Sequence, residues 1–443
     1  MNEPQQSPAQ VRLALERMRA LSRRRLFRGA GLAGATALLA ACGVKGTKDA
    51  GSGAATSAPG TSAAGSSAAG ASAASGPAGA TTASAGPTTT PAAPSVPDTS
   101  DADKLVNWSN WPEYIDIDEN DPNTHPSIDA FAKETGIKVN YTEDINDNNQ
   151  FFAKIQPQLS AGQPITADLF VMTDWMIPKL ITLGLIQEID HSNIPNLKNL
   201  APQQQNVDFD PGRKYSITWQ QGLTGIAFNP DLTGGPVDSM DQILTDPKLK
   251  GKVTLLSEME DTIGLVLLDL GFDPGDFTDE QFDQAIAKVR AAVDAGQIRQ
   301  FTGNDYGQGL ASGDIAAAVA WTGDVVQLKA DNPGLDYALP KAGGLIWSDN
   351  FVIPILTPHK RNAEKLIDFY FRPEIAAQVA DYINYITPVV GAKEVLMKDD
   401  PDVAKNQLIF PSEETLANTH VFMALDADQE KRYNAAFAKV SGA

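Results

Sequence analysis

The alternation of apolar and polar positions predicts short strands and helices in turn from residue 104 onward. An apolar run at 105–108 suits a strand, 127–136 has helical spacing with a Ser start and a Gly stop, and 137–141 alternates like a strand. Because one sheet rarely serves about 340 residues, we expect an α/β fold in two lobes, with ligands outside the carboxyl ends of strands. The theme recurs, with strands predicted at 168–172, 225–229, 253–256, 316–321 and 351–354 and helices at 151–159, 176–183, 262–270, 280–295 and 363–371.

The first 41 residues have the pattern of an export signal. Three arginines at 23–25 precede an apolar run at 29–41, in which Thr36 is the only polar side chain. That run is too short for a helix to span about 30 Å of hydrocarbon, so it predicts a signal peptide over 1–41 and not a transmembrane anchor. The segment 22–27 resembles the twin-arginine export motif.

Cys42, the single cysteine, directly follows a Leu-Ala-Ala sequence. This arrangement looks like a bacterial lipobox, in which the thiol takes a diacylglyceryl group and the cysteine becomes the mature N-terminus. We therefore expect a lipid anchor at Cys42 that holds the protein on the outer face of the cell membrane, or in the periplasm, because two or more acyl chains bind a bilayer stably. A single cysteine also excludes a disulfide-stapled scaffold.

The segment 42–100 is predicted to be a disordered tether. Residues 51–95 are drawn only from Gly, Ala, Ser, Thr and Pro, so they have no apolar side chains of the kind that form a core. A flexible coil of this length spans roughly 35–40 Å. That reach is sufficient to lift a folded domain clear of a lipid surface.

The net charge of −20 is unevenly distributed along the chain. Residues 1–41 carry +5, residues 42–100 are neutral, and residues 101–443 carry 26 basic and 51 acidic side chains, a net charge of −25. Because like charges repel, this acidity argues against a nucleic-acid partner or an anionic membrane surface and suits a cationic partner. A need for solubility alone would give the same acidity.

Familiar enzyme motifs do not occur in the sequence. The four histidines are scattered, and there is no Gly-x-Ser-x-Gly elbow or Walker-A loop. The Asp116-x-Asp118-x-Asn120 stretch lacks the Gly and the Glu of a calcium loop. We therefore predict no catalytic residue, no metal site and no cofactor. Paired carboxylates are abundant, so a secreted glycan-acting hydrolase stays open as an alternative.

Aromatic and acidic residues recur together at predicted strand ends. Each of them alone is more typical of core packing or of a helix cap. Their recurrence indicates a site for an organic ammonium ion, which binds both aromatic faces and carboxylates. The segments are Trp111-Pro112-Glu113-Tyr114, Thr173-Asp174-Trp175, Glu258-Met259-Glu260-Asp261, Trp321-Thr322-Gly323-Asp324 and Trp347-Ser348-Asp349.

Residues 104–443 resemble the putrescine/spermidine-binding proteins of bacterial ABC importers. The resemblance implies a two-lobed periplasmic-binding-protein fold, type II-like, with two crossovers between the lobes near 221–224 and 347–350 and the ligand cleft between the lobes. Lobe 1 would comprise 104–222 plus 348–393, and lobe 2 would comprise 223–347 plus 394–443. The matching segments, in order, are 110–114, 131–139, 167–171, 215–217, 321–324, 344–349 and 385–388.

The same resemblance implies a set of ligand-binding residues. By analogy, Asp324 and Asp349 hold one ammonium group, and the aromatic residues enclose the methylene chain. Glu258 or Asp261 serves a more distant ammonium group. The full set is Trp111, Tyr114, Thr173, Trp175, Glu258, Asp261, Trp321, Asp324, Trp347, Asp349 and Tyr385.

The expected function is that of a monomeric, lipid-anchored, extracytoplasmic solute-binding protein, not an enzyme, that captures putrescine or spermidine. It would deliver this polyamine to the membrane permease of an ABC transporter. Asp174 is an acid additional to the family pattern, and Phe422 is apolar where spermidine binders offer a polar amide. The length of the polyamine therefore stays open. Alternatives are the glycan-acting hydrolase and the same fold with another organic cation as ligand.

Overall fold

Ten strands form one mixed sheet in the part of the chain that the computed structural model describes, residues 96–118 and 120–442. The predicted signal segment 1–41, Cys42 and the tether as far as residue 95 lie outside the described residues. The strands are β1 (Leu105–Asn110), β2 (Lys138–Glu143), β3 (Leu169–Thr173), β4 (Ser216–Phe228), β5 (Val253–Leu256), β6 (Ile298–Thr302), β7 (Ala317–Trp321), β8 (Asp336–Ala338), β9 (Gly344–Val352) and β10 (Thr419–His420).

Helices separate most of these strands, as the pattern predicts. Every residue of β3, β4, β5 and β7 is buried, so both faces of the sheet are covered in its central part. No helix of the described residues is long and apolar enough to cross a bilayer. The α-helices are α1 (Pro126–Thr135), α2 (Asn148–Ser160), α3 (Ile177–Thr182), α4 (Pro230–Thr233), α5 (Met240–Thr245), α6 (Met259–Asp269), α7 (Asp279–Asp294), α8 (Tyr306–Ser312), α9 (Thr322–Asp331), α10 (Lys360–Tyr370), α11 (Pro373–Ile383), α12 (Ala392–Asp399), α13 (Pro401–Lys405), α14 (Glu413–Ala417) and α15 (Ala427–Ser441).

Local sequence signals account for several helix ends. Helix α1 stops at Gly136, which adopts a left-handed backbone with φ of 69° that a residue without Cβ tolerates. Helix α7 begins with a capping box, in which the side chains of Thr278 and Gln281 each bond the other residue's backbone amide. Short 3₁₀ turns lie at Asp174–Met176, His191–Asn193, Pro195–Asn199, Pro202–Gln204 and Pro247–Leu249.

The sheet consists of two parallel sets of strands joined by one antiparallel pair. Its order is β2-β1-β3-β9-β4-β7-β5-β6, with β10 beside β9 and β8 beside β4. Strands β2, β1 and β3 are parallel to one another, and so are β7, β5 and β6. The long strands β4 and β9 run antiparallel between the two sets and contact both. The carboxyl ends of each parallel set therefore approach this central pair.

Strands β4 and β9 are longer than the sequence pattern predicts. The apolar runs at 225–229 and 351–354 mark only one end of each strand, whereas β4 begins at Ser216 and β9 at Gly344. The polar residues between are also buried, and in the backbone register Gln220 lies opposite Asp349 and Gln221 opposite Ser348. The prediction that 347–349 follows the end of a strand is wrong, because these residues lie within β9.

A buried arginine fixes the central pair. Arg213 is 1% exposed, and its guanidinium donates to Asn350 Oδ1 of β9 at 2.9 Å and to Ser216 Oγ of β4 at 3.3 Å. The predicted crossovers at 221–224 and 347–350 fall on this pair, where β9 changes its second neighbour. The residue limits given above for the two lobes stay a prediction.

Candidate functional site

A cavity of about 660 Å³, open solvent at its mouth included, lies where strand ends of both parallel sets meet the middle of β9. All eleven side chains that the resemblance implies line this cavity. The structure adds seven residues to them. The eighteen lining residues are Trp111, Pro112, Tyr114, Thr173, Asp174, Trp175, Glu258, Glu260, Asp261, Asn304, Trp321, Asp324, Leu345, Ile346, Trp347, Asp349, Tyr385 and Phe422.

Most of these residues reach the cavity because a parallel strand ends beside it. Trp111 and Tyr114 follow β1, Thr173 is the last residue of β3, and Trp321 is the last of β7. Residues 258–261 follow β5 at the start of α6, in the same manner. Neighbouring parallel strands present their carboxyl ends at one edge, so residues far apart in sequence meet there.

Asp349 lies inside β9 and is held by two hydroxyl groups. Tyr114 donates from Oη to Asp349 Oδ2 at 2.8 Å, and Thr173 donates from Oγ1 to Asp349 Oδ1 at 2.8 Å. The carboxyl group is 4% exposed, and burial raises its pKa to about 7 despite these two donors. A carboxylate oxygen has room for more than one hydrogen bond, and each oxygen of Asp349 accepts one here. Asp349 can therefore accept a further hydrogen bond from a ligand.

Asp324 occupies the first turn of α9 and accepts three hydrogen bonds. Tyr385 Oη donates to Oδ1 at 2.7 Å, and Tyr306 Oη and Asn304 Nδ2 donate to Oδ2 at 2.6 and 3.0 Å. Burial raises the pKa of Asp324, and the three donors oppose that rise. Tyr385 is placed here by backbone pairing of Ile386 with Gln221 of β4.

Asp261 links the aromatic residues of the cavity to β4. Thr224 Oγ1 donates to Asp261 Oδ1 at 2.6 Å, and Trp321 Nε1 donates to Oδ2 at 3.0 Å. Trp347 Nε1 in turn donates to Thr224 Oγ1 at 3.0 Å. Both indole rings are therefore fixed through one carboxyl group, whose pKa is raised to about 6 by burial.

Two glutamates complete the acidic lining on the β5 side. Asn148 Nδ2 donates to Glu258 Oε1 at 3.0 Å, and burial together with the carboxyl of Asp147 raises the pKa of Glu258 well above its usual range. Glu260 is 4% exposed, and its Oε2 has no hydrogen-bond partner among the described residues. Burial raises the pKa of Glu260 to about 8.

Asp174, the acid additional to the family pattern, serves the protein's own backbone. Its Oδ2 accepts from the amide of Ser348 at 2.9 Å and from the hydroxyl of Ser348 at 3.2 Å. Its Oδ1 accepts from the Trp175 amide at 2.8 Å. Asp174 therefore ties the end of β3 to β9, and burial raises its pKa to about 6.

Four aromatic rings form a continuous wall. The ring of Trp347 lies 6.4 Å from Trp321 and 5.8 Å from Tyr385, and Tyr385 lies 5.1 Å from Tyr114, measured between centroids. A Cβ on Gly323 would lie 2.1 Å from the Tyr385 ring, so that ring packs directly on the glycine backbone. The wall presents aromatic faces and edges beside the carboxyl groups.

The acidic lining has no cationic counterpart. Six of the eighteen lining residues are acidic, and none of the eighteen is Lys, Arg or His. Buried carboxylates without a positive partner are costly, which is why the pKa values in this cavity rise. No group of three or more His, Cys, Asp or Glu side chains in the described residues is arranged to hold a metal ion. The cavity therefore suits an elongated organic cation.

Sequence reasoning missed several residues of the site. Asn304 follows β6, a strand whose mixed pattern gave no strand prediction, and Tyr306 reaches Asp324 from α8. In the sequence Glu260 lies between Glu258 and Asp261, both of which were predicted to bind the ligand. Its position is typical of a helix start, where the helix dipole stabilises acidic side chains. The acidic segment 258–261 was the available signal for it.

Comparison with known proteins decides the family. Residues 127–411, more than half of the chain, match the family described as bacterial extracellular solute-binding protein. The chain belongs to this family. Its sheet and cavity are those of the two-lobed periplasmic-binding-protein fold, as the resemblance implied.

Individual relatives agree with this assignment. The solute-binding protein is 28% identical over 318 residues to the spermidine/putrescine-binding periplasmic protein of Escherichia coli, covering 72% of this chain and 86% of that one. It is 29% identical over 366 residues to the putrescine-binding periplasmic protein PotF of the same species, covering 76% and 91%. The solved structure of the spermidine/putrescine ABC transporter substrate-binding protein PotD of Streptococcus pneumoniae matches with a TM-score of 0.63 and 26% identity, covering 76% and 99%.

Family membership settles two of the sequence predictions. Solute-binding proteins of this family are transport components outside the cytoplasm, so the extracytoplasmic location and the absence of an enzyme activity follow from it. The glycan-acting hydrolase is therefore set aside.

The ligand-free protein is expected to lose stability as pH rises through neutrality. Asp349 and Glu260 have pKa values of about 7 and 8 in the folded chain, against ordinary values of 3.8 and 4.5. Near neutral pH the folded state therefore retains protons that the unfolded state has released. The resulting contribution to the free energy of unfolding is fully present below about pH 4, and it is lost as the pH rises through the pKa values of the folded state. Urea unfolding between about pH 5.5 and 8.5 measures the change.

The double variant Asp349→Asn/Glu260→Gln serves as the control, because neither new side chain titrates. Its free energy of unfolding should vary less with pH than that of the wild type, and the wild type should fall relative to it toward high pH. Parallel curves for the two proteins across this range would contradict the assignment of buried, protonated carboxyls.

Proposed function

We propose that this solute-binding protein captures a polyamine, putrescine or spermidine, and delivers it to the membrane permease of an ABC transporter. The observation that carries the proposal is a cavity with six carboxyl groups, a wall of aromatic rings and no cationic side chain among its eighteen lining residues. Two relatives described above carry polyamine names. Both kinds of support point to a linear, multiply protonated ligand.

The arrangement of donors and rings explains how such a ligand would be held. One ammonium group bonds to Asp349 and Asp324, each of which keeps an acceptor site beside its hydroxyl partners, and it replaces a proton at Asp349. The methylene chain makes apolar contacts with the wall of Trp321, Trp347 and Tyr385, and each ammonium group that lies over an aromatic face adds a cation–π contact of about 0.5–2 kcal/mol. Asp261 and Glu258 face the second ammonium group.

Closure of the two lobes over the ligand would remove its ammonium groups from water. That step is favourable only where carboxylates replace the lost hydration. Tyr114 and Thr173 approach from the β1 and β3 side, whereas Asp261 and Asp324 approach from the β5 and β7 side. A polyamine bonded to both sides would stabilise the closed form.

Attachment to the membrane forms the second part of the proposal. Cys42 would carry the lipid, residues 42–100 would act as a tether, and the folded part would function as a monomer. The lipobox-like sequence before Cys42 and the composition of 51–95 support this arrangement.

Calorimetric titration with putrescine and spermidine tests the site. Asp349→Ala is expected to weaken binding of both by at least about 2 kcal/mol, because the variant leaves a buried ligand charge without its partner. Asp349→Asn keeps the side-chain shape and removes the charge, so it should lose affinity similarly. Titrations with amino acids, sugars and quaternary amines, run alongside, are expected to show no comparable affinity.

The matched control is Asp276→Asn, which removes an acidic charge from an exposed position outside the cavity. It should bind both polyamines as the wild type does. Polyamine binding that is unchanged in Asp349→Ala would refute the site assignment. Tighter binding of a quaternary amine than of either polyamine would show that the ligand is another organic cation, with the fold unaffected.

The anchor is tested by fractionation of cells that produce the full chain. Cys42→Ser removes the thiol that would be acylated, so the protein should move from the membrane fraction to the soluble fraction. Ser52→Ala, a change within the tether, should leave the distribution unaltered. Equal membrane association of wild type and Cys42→Ser would contradict lipidation at this residue.

A further inference from the structure

A second cavity of about 320 Å³, open solvent at its mouth included, adjoins the first. Two side chains, Trp175 and Glu260, line both cavities. The remaining lining of the second cavity combines apolar side chains, Met423 and Leu425, with an ion pair. The junction of the two cavities is therefore formed by the aromatic ring of Trp175 and the carboxyl group of Glu260.

Glu260 is the carboxyl group at this junction, and one of its two oxygens has no hydrogen-bond partner among the described residues. It is the second residue of α6, is 4% exposed, and has Oε2 without a hydrogen-bond partner among the described residues. A buried carboxyl oxygen without a donor is unfavourable, so its persistence calls for a ligand or a proton. Burial raises the pKa of Glu260 to about 8, which indicates that a proton occupies it in the ligand-free protein.

Lys179, the cationic side chain in the described lining of the second cavity, is already paired with another residue. Lys179 of α3 forms an ion pair with Glu430 of α15 and lies 4.0 Å from the centroid of the Phe152 ring. Both members of the pair are about one-fifth to one-quarter exposed, at the rim of the second cavity. Glu260 therefore has no cationic side chain of the protein as partner within the second cavity's described lining.

We propose that Glu260 forms an additional ammonium subsite, at the junction of the two cavities, that receives the extra aminoalkyl arm of a triamine. This inference rests on the proposed function. The ring of Trp175 would contact the ammonium group, and Met423 and Leu425 would contact the methylene groups beside it. A diamine held by the carboxyls of the main cavity does not require this subsite, so Glu260 sets the preference between ligand lengths.

The test compares the ratio of spermidine affinity to putrescine affinity in the wild type and three variants by calorimetry. In Glu260→Gln this ratio should fall at least about fivefold relative to the wild type, because a hydrogen bond to a charged group is removed for the triamine. Glutamine has the shape of the protonated acid, so the fold should persist, and thermal unfolding checks this. Glu394→Gln, an exposed glutamate in the first turn of α12, is the matched control and should keep the wild-type ratio.

Glu260→Asp keeps the charge and retracts it by one methylene, so its ratio should lie between those of the wild type and Glu260→Gln. A ratio in Glu260→Gln that falls by less than about fivefold overturns the subsite while leaving polyamine binding intact. Wild-type protein that binds neither polyamine is a different result, because it refutes the proposed function itself.

Discussion

Six carboxyl groups share one cavity in which none of the described lining residues supplies a positive charge, and the remaining features of the site follow from this constraint. Removing a carboxylate from water costs several kcal/mol unless donors or a cation replace the solvent. Hydroxyl, amide and indole groups donate hydrogen bonds to Asp349, Asp324 and Asp261 and so offset part of this desolvation penalty. Protonation neutralises the remaining charge of these acids in part, as the raised pKa values of Glu260, Asp261 and Asp349 indicate. In the proposed function, the ammonium groups of a polyamine displace those protons and supply the missing positive charge.

The sheet topology makes this concentration of acids possible. Two parallel sets of strands direct their carboxyl ends toward the antiparallel pair β4–β9, so side chains more than two hundred residues apart bond each other, as Tyr114 and Asp349 do. Asp349 and Trp347 come from the interior of β9. Asp349 is paired with both β3 and β4, and Trp347 is paired with Gly222 of β4. Within this central pair Arg213 donates to Asn350 of β9 and to Ser216 of β4, whereas Gln220 Oε1 has no hydrogen-bond partner among the described residues.

The fold class and the main elements were predictable from the sequence, because β3, β5 and β7 are largely apolar runs and the apolar residues of α7 recur at helical spacing. It underestimated β4 and β9, since their buried polar residues interrupt the apolar runs and only the partner strand explains them. Trp321 and Asp324 were recognisable as a strand-end pair. Trp347 and Asp349 were recognised by the same aromatic and acidic pattern, but they were predicted to follow a strand, whereas they lie within β9. The role of Glu260 could not be predicted from the sequence. Only its burial and the unpartnered Oε2 distinguish it from an ordinary acid at a helix start.

Proton release on ligand binding tests the exchange of protons for a cation most directly. Putrescine is titrated into the protein at about pH 6.5 in two buffers of different ionisation enthalpy, where its aliphatic amines are already charged. Asp261 and Asp349, whose pKa values are about 6 and about 7, lose protons when ammonium groups arrive, so the binding heat should differ between the buffers by an amount that corresponds to net release. Equal heats in both buffers, or a net uptake of protons, would contradict the exchange.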